Sequence, residues 1–269
     1  MIGIICSTAD PASMNMEKWL ISHYALEENA SGKAKSYCGN GLCVYEINGE
    51  LINADFVDEL GIDVAYFASR HSSAKGVSAF TTHPTGNWGS EAMLGGKPKA
   101  LSVAAPLQML GVLNELRKLS AQVEGMQVVY EATHHGPLLK TPSLFVELGG
   151  NFETVNNAGL AAIPANAIIR SMDSEPEFSK VAIGIGGTHY PSKFTELALK
   201  KGYAFAHMLP KYAMLNADGT DNFAMLESAV SQSAVKPEIA VIEWKSLNSK
   251  LREMALAELE KIGMDYERV

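Results

Sequence analysis

Short apolar runs rich in β-branched residues alternate along the whole chain with longer segments of helical periodicity. Several of the short runs are apolar almost without interruption, which is typical of strands covered by helices. The alternation predicts an α/β fold with a central mixed, mostly parallel sheet and helices on both faces. The predicted strands are residues 2–6, 43–47, 63–68, 126–132, 143–148, 181–185, 203–207 and 239–243.

The sequence patterns that predict helices between these strands differ in clarity. Residues 246–262 carry apolar side chains at helical spacing and are followed by a glycine, and a second helix is predicted at about 106–123. Residues 156–170 give a weaker helical pattern because Pro164 interrupts it.

The composition limits the class of protein. The 269-residue chain is 47% hydrophobic, which excludes a disordered chain. No repeat and no linker is visible, so we expect residues 1–269 to form a single compact unit; the sequence does not reveal any subdomain division. No apolar run approaches the length of a membrane-spanning helix, and the short apolar start lacks a basic flank, so we expect a soluble, cytoplasmic protein.

The charged and sulfur-containing residues narrow the class further. A formal net charge of -8 argues against a nonspecific nucleic-acid coat, and no DNA partner is expected. Cys6, Cys38 and Cys43 are an odd count, which fits a reducing compartment better than a disulfide framework. The spacing of Cys38 and Cys43 alone is a weak zinc signal.

Five of the seven histidines end or closely follow a predicted strand. They are His71, His134, His135, His189 and His207. Ligands of open α/β sheets bind beyond the carboxyl ends of the strands, so these imidazoles would form a cluster if the strands are parallel neighbours. The alternative is that each histidine is simply solvated at a strand end.

The strongest local signal is the run 128–137, which offers Glu131, Thr133, His134 and His135 within one segment. Adjacent side chains of a strand point to opposite faces, so the two histidines could share a metal only where the backbone leaves β geometry. The glycine that follows makes such a departure easy. The alternative is a turn with one histidine bonded to a carbonyl and the other solvated.

Gly186, Gly187 and Thr188 form a glycine-rich turn between a predicted strand and a predicted helix, directly before His189. Backbone N–H groups at such a turn favour a phosphate, a carboxylate or an oxyanion. The spacing does not match a dinucleotide fingerprint, and the alternative is close packing of the strand against the helix.

Two polar loops bring further candidates. One is the run from Ser69 through Arg70 and His71 to Ser73, and the other contains His83 and Asn87. Histidine and carboxylate ligands with one position left for water are typical of zinc hydrolases. No serine-nucleophile elbow and no nucleophilic-cysteine context occurs, so attack by water is favoured over a covalent intermediate.

Taken together, the motifs resemble the archaeal and plant-type D-aminoacyl-tRNA deacylases. The matching segments are 69–73, 82–87, 131–137, 145–149, 184–190 and 202–213. The resemblance implies an α/β fold related to phosphorylase and peptidyl-tRNA hydrolase-like proteins, a zinc requirement, and hydrolysis of the ester between a D-amino acid and its tRNA. The turn after Gly149 departs from the family pattern, because Phe152 stands near a position where a tryptophan is expected.

With this resemblance the candidate residues acquire expected roles. The expected catalytic residues are Glu131, Thr133, His134 and His189. The expected zinc ligands are drawn from His83, Glu131, His134, His135 and His189. The expected substrate-binding residues are Arg70, His71, Asn87, Gly186, Gly187, Thr188 and Lys211. Zinc would activate a water that attacks the ester carbonyl, and the glycine turn or Arg70 would stabilise the developing oxyanion.

The acceptor end of D-aminoacyl-tRNA is the expected partner. Candidate lysines for its phosphates are Lys97, Lys99, Lys140, Lys193, Lys200, Lys201 and Lys211. Two alternatives stay open, namely a zinc-dependent amide or peptide hydrolase of related fold and a non-catalytic RNA- or metal-binding protein. A protein that only binds RNA needs basic and aromatic residues at its binding surface, and not several histidines beside a carboxylate.

Overall fold

The computed structural model describes residues 1–29, 34–71, 77–173 and 176–269. The strands are β1 (Ile2–Ser7), β2 (Glu27–Asn29), β3 (Lys35–Gly39), β4 (Leu42–Ile47), β5 (Val64–His71), β6 (Ala79–His83), β7 (Gly86–Asn87), β8 (Ala100–Leu101), β9 (Gln127–Tyr130), β10 (Ser143–Gly149), β11 (Lys180–Ile185), β12 (Tyr203–Leu209), β13 (Ile239–Ile242) and β14 (Tyr266–Arg268). The helices are α1 (Pro11–His23), α2 (Pro106–Leu119), α3 (Phe152–Val155), α4 (Ala158–Met172), α5 (Ser192–Lys201), α6 (Met225–Ser231) and α7 (Ser249–Ile262).

The larger sheet has eight strands in the order β2-β3-β4-β1-β5-β10-β6-β9. Its centre, from β4 to β10, is parallel, whereas β6 runs antiparallel to β10 and parallel to β9. The carboxyl ends of β1, β5 and β10 therefore share one edge. In the antiparallel pair β10 and β6, His83 lies opposite Phe145, so the end of β6 meets the first part of β10.

A second sheet of four parallel strands has the order β12-β11-β13-β14. Helix α2 contacts β6 and β9 of the larger sheet and β12 of the smaller one. One hydrophobic core consequently contains side chains of both sheets, among them Val146 in β10 and Phe205 in β12. On the far face of the smaller sheet, α6 and α7 pack over a separate core.

Helices of both sheets begin and end for identifiable reasons. In α1, Asp10 is the N-cap, and its carboxylate accepts the N–H groups of Ala12 and Ser13 (2.9 and 3.2 Å). In α7, Gly263 adopts the left-handed conformation that ends a helix. Pro164 does not interrupt α4, which continues to Met172. Helices α1, α2 and α4 lie on one face of the larger sheet, and short 3-10 turns at residues 51–59 cover the other.

The predicted mixed α/β fold is confirmed, with two differences in detail. Three predicted strands, at 181–185, 203–207 and 239–243, belong to the second sheet rather than to one central sheet. Six strands were not predicted, because they are too short or too polar to contain an apolar run; they are β2, β3, β6, β7, β8 and β14.

The cysteines also differ from the expectation of free thiols. Cys38 and Cys43 are joined by a disulfide. They are paired residues of the antiparallel strands β3 and β4, which brings their Cα atoms to 4.2 Å. Cys6 is a free, buried thiol in β1. An odd number of cysteines is compatible with one disulfide and one free thiol. This disulfide needs no larger set of cross-links, because the hairpin of β3 and β4 already brings the two cysteines together.

None of the helices in the part of the chain that the structure describes combines the length and the apolar character needed to cross a membrane.

Candidate active site

Residues 131–133 run between the two sheets and carry the centre of the site. The backbone leaves β9 here, and the Glu131 N–H donates to the carbonyl of Thr82 in β6 (3.1 Å). In the opposite direction, the Thr133 N–H donates to the carbonyl of Met208 in β12 (3.1 Å). The segment therefore joins strand ends of both sheets at one place.

The rings of His83, His134 and His135 face one another at this place, with ring nitrogens within 4.8 Å of one another. In each ring, Nδ1–H donates to a main-chain carbonyl. These bonds run from His83 to Pro84 (3.1 Å), from His134 to Ala132 (2.8 Å) and from His135 to Gly136 (2.6 Å). Because Nδ1 carries the hydrogen, Nε2 of each ring is left with its lone pair, as a metal ligand requires.

His134 and His135 meet because the backbone is not a strand there. His135 has a φ of +43°, and its carbonyl accepts the N–H of Gly86 (2.7 Å). The left-handed conformation breaks the strand alternation, so that the two ring centroids come to 4.2 Å. The backbone therefore meets the condition, stated from the sequence, under which the two histidines could share a metal.

Burial keeps these two rings neutral. Desolvation lowers the pKa of His135 to about 4 and holds the pKa of His134 well below its ordinary value. Both rings are therefore unprotonated at neutral pH, and their Nε2 atoms are available to a cation.

A buried carboxylate, Glu131, lies beside the three rings. Its Oε1 is 3.0 Å from Nδ1 of His71, and its Oε2 is 2.8 Å from Nε2 of His189 and 3.6 Å from Nε2 of His134. In spite of these short distances, neither oxygen has a partner in hydrogen-bond geometry among the described residues. The carboxylate is thus close to three imidazoles without being saturated by them.

A second buried carboxylate, Glu147 in β10, closes the other side of the site. Its Oε2 is 3.3 Å from Nδ1 of His71 and 3.7 Å from Nε2 of His83, and it accepts the hydroxyl of Thr81 (3.4 Å). No role was predicted for Glu147 from the sequence. The signal was present, because it is the one charged residue within an apolar strand run, as Glu131 is in its own run.

The carboxylates and imidazoles set each other's charge. Burial raises the pKa of Glu131, but His189 and His71 outweigh burial and hold that pKa well below its usual range. The pKa of Glu147 is lowered in the same way by His71 and His83. Burial lowers the pKa of His71, yet Glu131 and Glu147 raise it to about 10. The site therefore holds two carboxylates balanced by a charged imidazole at His71.

These residues fit a zinc ion. Imidazole nitrogens and carboxylate oxygens are ligands that zinc takes. The Nε2 of His83 and both oxygens of Glu131 are buried acceptors without hydrogen-bond partners in the described part of the chain, which a bound cation would satisfy. Two further groups have the required spacing: His83–Glu131–Glu147, which shares His83 with the first group, and His71–Glu131–His189, which shares Glu131 with that second group. All five predicted ligands are thus brought together.

The sequence profile of the D-aminoacyl-tRNA deacylases matches residues 58–267, which is most of the chain. The chain belongs to the D-aminoacyl-tRNA deacylase family. Proteins named D-aminoacyl-tRNA deacylase from Pyrococcus furiosus, Pyrococcus abyssi and Thermococcus kodakarensis are 35%, 36% and 36% identical to it, with 98% of each chain covered. The crystal structure of a conserved protein of unknown function is also similar, with a TM-score of 0.91, 31% identity, and coverage of 100% of this chain and 95% of the other.

In this member of the D-aminoacyl-tRNA deacylase family, the glycine turn is held by internal bonds. The N–H of Gly186 donates to a carbonyl of β12 (2.9 Å), and the N–H of Gly187 donates to Ser246 Oγ (3.0 Å). The Glu243 carboxylate lies against Gly187, and the hydroxyl of Thr188 bonds within the turn. The oxyanion-binding role stays a prediction, and both glycine N–H groups that it would use are already bonded.

Thr133 and His207 lie apart from the three facing rings and bond to the scaffold. Thr133 Oγ1 accepts the N–H of Met208 (2.9 Å) and lies 3.2 Å from Nδ1 of His207. Nε2 of His207 is 3.0 Å from the carbonyls of Ser102 and Gln232, and burial lowers its pKa to about 4. The structure thus separates His207 from the other strand-end histidines and puts His83, at the end of β6, among them.

The remaining predicted residues lie around the cluster. Arg70 has an exposed side chain, and its backbone N–H donates to Asp10 (2.7 Å). Asn87 donates to the carbonyl of Gly95 (2.9 Å), and Lys211 is exposed. Ser72 and Ser73 lie outside the described residues.

Two tyrosines contact histidines of the site, and one phenylalanine stands near the position where a tryptophan was expected. The hydroxyl of Tyr190 is 2.6 Å from Nε2 of His71, and the hydroxyl of Tyr212 is 3.3 Å from Nδ1 of His189. Neither tyrosine was assigned a role from the sequence, although Tyr190 directly follows His189. Phe152, considered as a substitute for the expected tryptophan, is 81% exposed at the start of α3.

Proposed function

We propose that this protein hydrolyses the ester bond between a D-amino acid and tRNA, which releases the free D-amino acid and tRNA, with zinc as cofactor. The observation that carries the proposal is the group of three imidazoles with Nε2 left as an acceptor, beside a buried carboxylate without hydrogen bonds. Membership of the D-aminoacyl-tRNA deacylase family supports the choice of substrate. Since tRNA is charged and used in the cytoplasm, we propose that location.

His83, His134 and His135 are the residues that we propose hold the zinc ion. A zinc ion supplies Lewis acidity and lowers the pKa of a bound water toward neutrality. The backbone carbonyls that accept the three Nδ1 hydrogens fix the tautomer and the orientation of each ring. The site is thereby prepared for a cation before one binds.

Glu131 is the residue that we propose accepts the proton of the attacking water. It is ionised, because His189 and His71 hold its pKa well below the usual range. It is also buried, which strengthens its interaction with a proton donor beside it. His189, whose ring is about one-third exposed and 2.8 Å from Glu131, lies between this carboxylate and solvent and can pass the proton onward.

The substrate contact that we propose is small and restricted to the acceptor end of tRNA. The protein carries a net charge of -8, so a broad electrostatic grip is excluded. Exposed lysines near the cluster, such as Lys99 and Lys211, can still meet the last phosphates. Lys193 and Lys200, in contrast, form ion pairs with Glu196 on their own helix.

The deciding experiment compares release of D-tyrosine and L-tyrosine from charged tRNA, with and without a chelator. We expect D-selective hydrolysis that the chelator abolishes and added zinc restores. Cleavage of peptides without cleavage of the aminoacyl ester would favour the amide-hydrolase alternative. Binding of tRNA without any turnover would favour a non-catalytic protein.

A further inference from the structure

Two cavities share the side chains of His134 and His135 in their linings. The first, of about 400 Å³, is called the acidic cavity; its lining includes Asp10, Glu50, Ile52, Leu94, Phe145 and Glu147. The second, of about 310 Å³, is called the amide cavity; its lining includes Asn87, Trp88, Tyr212, Leu215, Asn216 and Asn222. The proposed reacting centre therefore opens into two different spaces.

The two cavities differ in charge. Three carboxylates (Asp10, Glu50 and Glu147) and two cations (Arg70 and the charged His71) line the acidic cavity, so carboxylates remain in excess there. The amide cavity has one exposed carboxylate, Glu91. Two exposed lysines adjoin it, because Lys211 directly precedes a lining residue and the N–H of Lys99 donates to Gly89 in the lining (2.9 Å).

An aminoacyl ester of tRNA has the matching asymmetry. Its amino acid carries an ammonium group, which a carboxylate-lined space favours, and its terminal nucleotide carries a phosphate, which lysines favour. Building on the deacylase function proposed above, we propose that the acidic cavity receives the D-aminoacyl group and the amide cavity receives the terminal nucleotide. The scissile ester then lies at the His134 and His135 wall.

Leu94 is the side chain that selects the amino acid in this arrangement. It lines the acidic cavity and is 58% exposed in the absence of substrate. The backbone beneath it is rigidly placed, because the carbonyl of Leu94 accepts the N–H of Gly136 (2.9 Å) and the carbonyl of Gly95 accepts Asn87 (2.9 Å). A Cβ on Gly95 would lie 2.0 Å from the carbonyl oxygen of Ile52, so the backbone of this loop packs closely against residue 52.

Tyr212 is the corresponding contact for the nucleotide. It is 58% exposed at the amide cavity, and its neighbour Leu215 is 41% exposed. An aromatic ring beside a cavity rich in amide side chains suits a base, which stacks on the ring and bonds to amides at its edge.

The first test replaces Leu94 with alanine and measures kcat/KM for D-tyrosyl-tRNA and D-alanyl-tRNA. Loss of one apolar wall should lower the D-tyrosyl to D-alanyl preference about 10-fold. Met93→Ala is the matched control, because Met93 is 86% exposed in the same loop and lines neither cavity. An unchanged preference in Leu94→Ala, or an equal change in Met93→Ala, would overturn the assignment of the acidic cavity.

The second test measures the affinity of the intact protein for AMP by calorimetry, which requires no turnover. Tyr212→Ala should weaken AMP binding at least about 5-fold. Tyr266→Ala, which removes a partly exposed tyrosine of β14 outside both cavities, should leave it unchanged. No AMP binding by the unaltered protein, or equal binding by Tyr212→Ala, would overturn the assignment of the amide cavity.

The outcomes separate this inference from the proposed function. If AMP binds and depends on Tyr212 but no aminoacyl ester is hydrolysed, the deacylase proposal and the assignment of the acidic cavity fail, whereas the assignment of the amide cavity to a nucleotide stands. If D-selective hydrolysis occurs but neither Leu94→Ala nor Tyr212→Ala has the stated effect, only the two-cavity assignment fails.

Discussion

At the scale of single residues, two buried glutamates without hydrogen-bond partners in the described part of the chain have opposite electrostatic surroundings. Glu131 faces imidazoles, which keep it ionised. Glu17, in α1, faces another carboxyl group, Glu46, and burial together with that neighbour raises its pKa to about 7. The first arrangement suits the proton acceptor that we propose, and the second costs stability at neutral pH.

Replacing Glu131 with glutamine should lower kcat/KM for D-aminoacyl-tRNA about 100- to 10,000-fold, because the variant lacks the proton acceptor. Single-turnover deacylation measures the loss. Glu124→Gln, an exposed change just before β9, is the control and should retain activity. Activity of Glu131→Gln within a few-fold of the unaltered protein would remove Glu131 from the mechanism.

Glu17→Gln should make stability less dependent on pH. The folded pKa of Glu17 lies above the value of 4.5 expected when unfolded, so its contribution to stability is fully present below about pH 4.5 and is lost as pH rises through about 7. Glutamine should therefore add up to about 3 kcal/mol at pH 8 and much less at pH 5. Urea unfolding at both pH values measures this. Glu28→Gln, exposed in β2, should show no such difference, and equal behaviour of the two variants would contradict the prediction.

At the scale of secondary structure elements, Asp10 connects α1 to β5. Its Oδ1 caps the helix, and its Oδ2 accepts the N–H of Arg70, next to His71. The first contact is an ordinary N-cap, whereas the second fixes the end of a strand that carries a residue of the candidate site.

Asp10→Ala should destabilise the protein by about 2–3 kcal/mol, since it removes a cap and leaves the Arg70 N–H without its acceptor. The matched control is Asn157→Ala, which removes the N-cap of α4 only and should cost about 1 kcal/mol. Urea unfolding compares the two variants. Equal losses would show that the contact with β5 contributes nothing.

A strand or helix could be predicted from the sequence where its apolar residues form a recognisable run or a helical spacing. Buried apolar strands such as β1 and β10 were recognised, and the α/β class followed from them. The short strand β6 escaped prediction because its Thr-Thr-His end has no apolar run, although this strand carries His83 into the site.

The site was predictable where one strand end carries several polar groups, as in residues 131–135. His83 meets His134 and His135 because β6 runs antiparallel to β10 and because His135 adopts a left-handed conformation. The hydrophobic pattern of the sequence indicates neither the direction of a strand nor the left-handed conformation of a single residue. His207 was expected near the site for its strand-end position, but that strand, β12, belongs to the other sheet and buries the ring.

At the scale of the whole molecule, an acidic chain that binds the end of a polyanion through few lysines should respond to salt in a limited way. About three phosphate contacts give a slope near -2 for log kcat/KM against log salt, so a rise from about 50 to 200 mM should lower kcat/KM about 15-fold. Hydrolysis of a D-tyrosine methyl ester, which has no phosphate, should be nearly independent of salt. A flat response with tRNA would exclude these contacts.

The segment of residues 131–133 is bonded on one side to β6 and on the other to β12, and the N–H of Ala132 donates to the carbonyl of His189 (2.9 Å). Glu131 is thus anchored to β6 of the larger sheet, whereas His189 lies in the loop that follows β11 of the smaller sheet. The distance between their side chains consequently depends on how the two sheets are docked. Substitutions far from the cluster that alter the packing of α2 between the sheets should therefore change the proposed proton transfer from Glu131 to His189 without touching either residue.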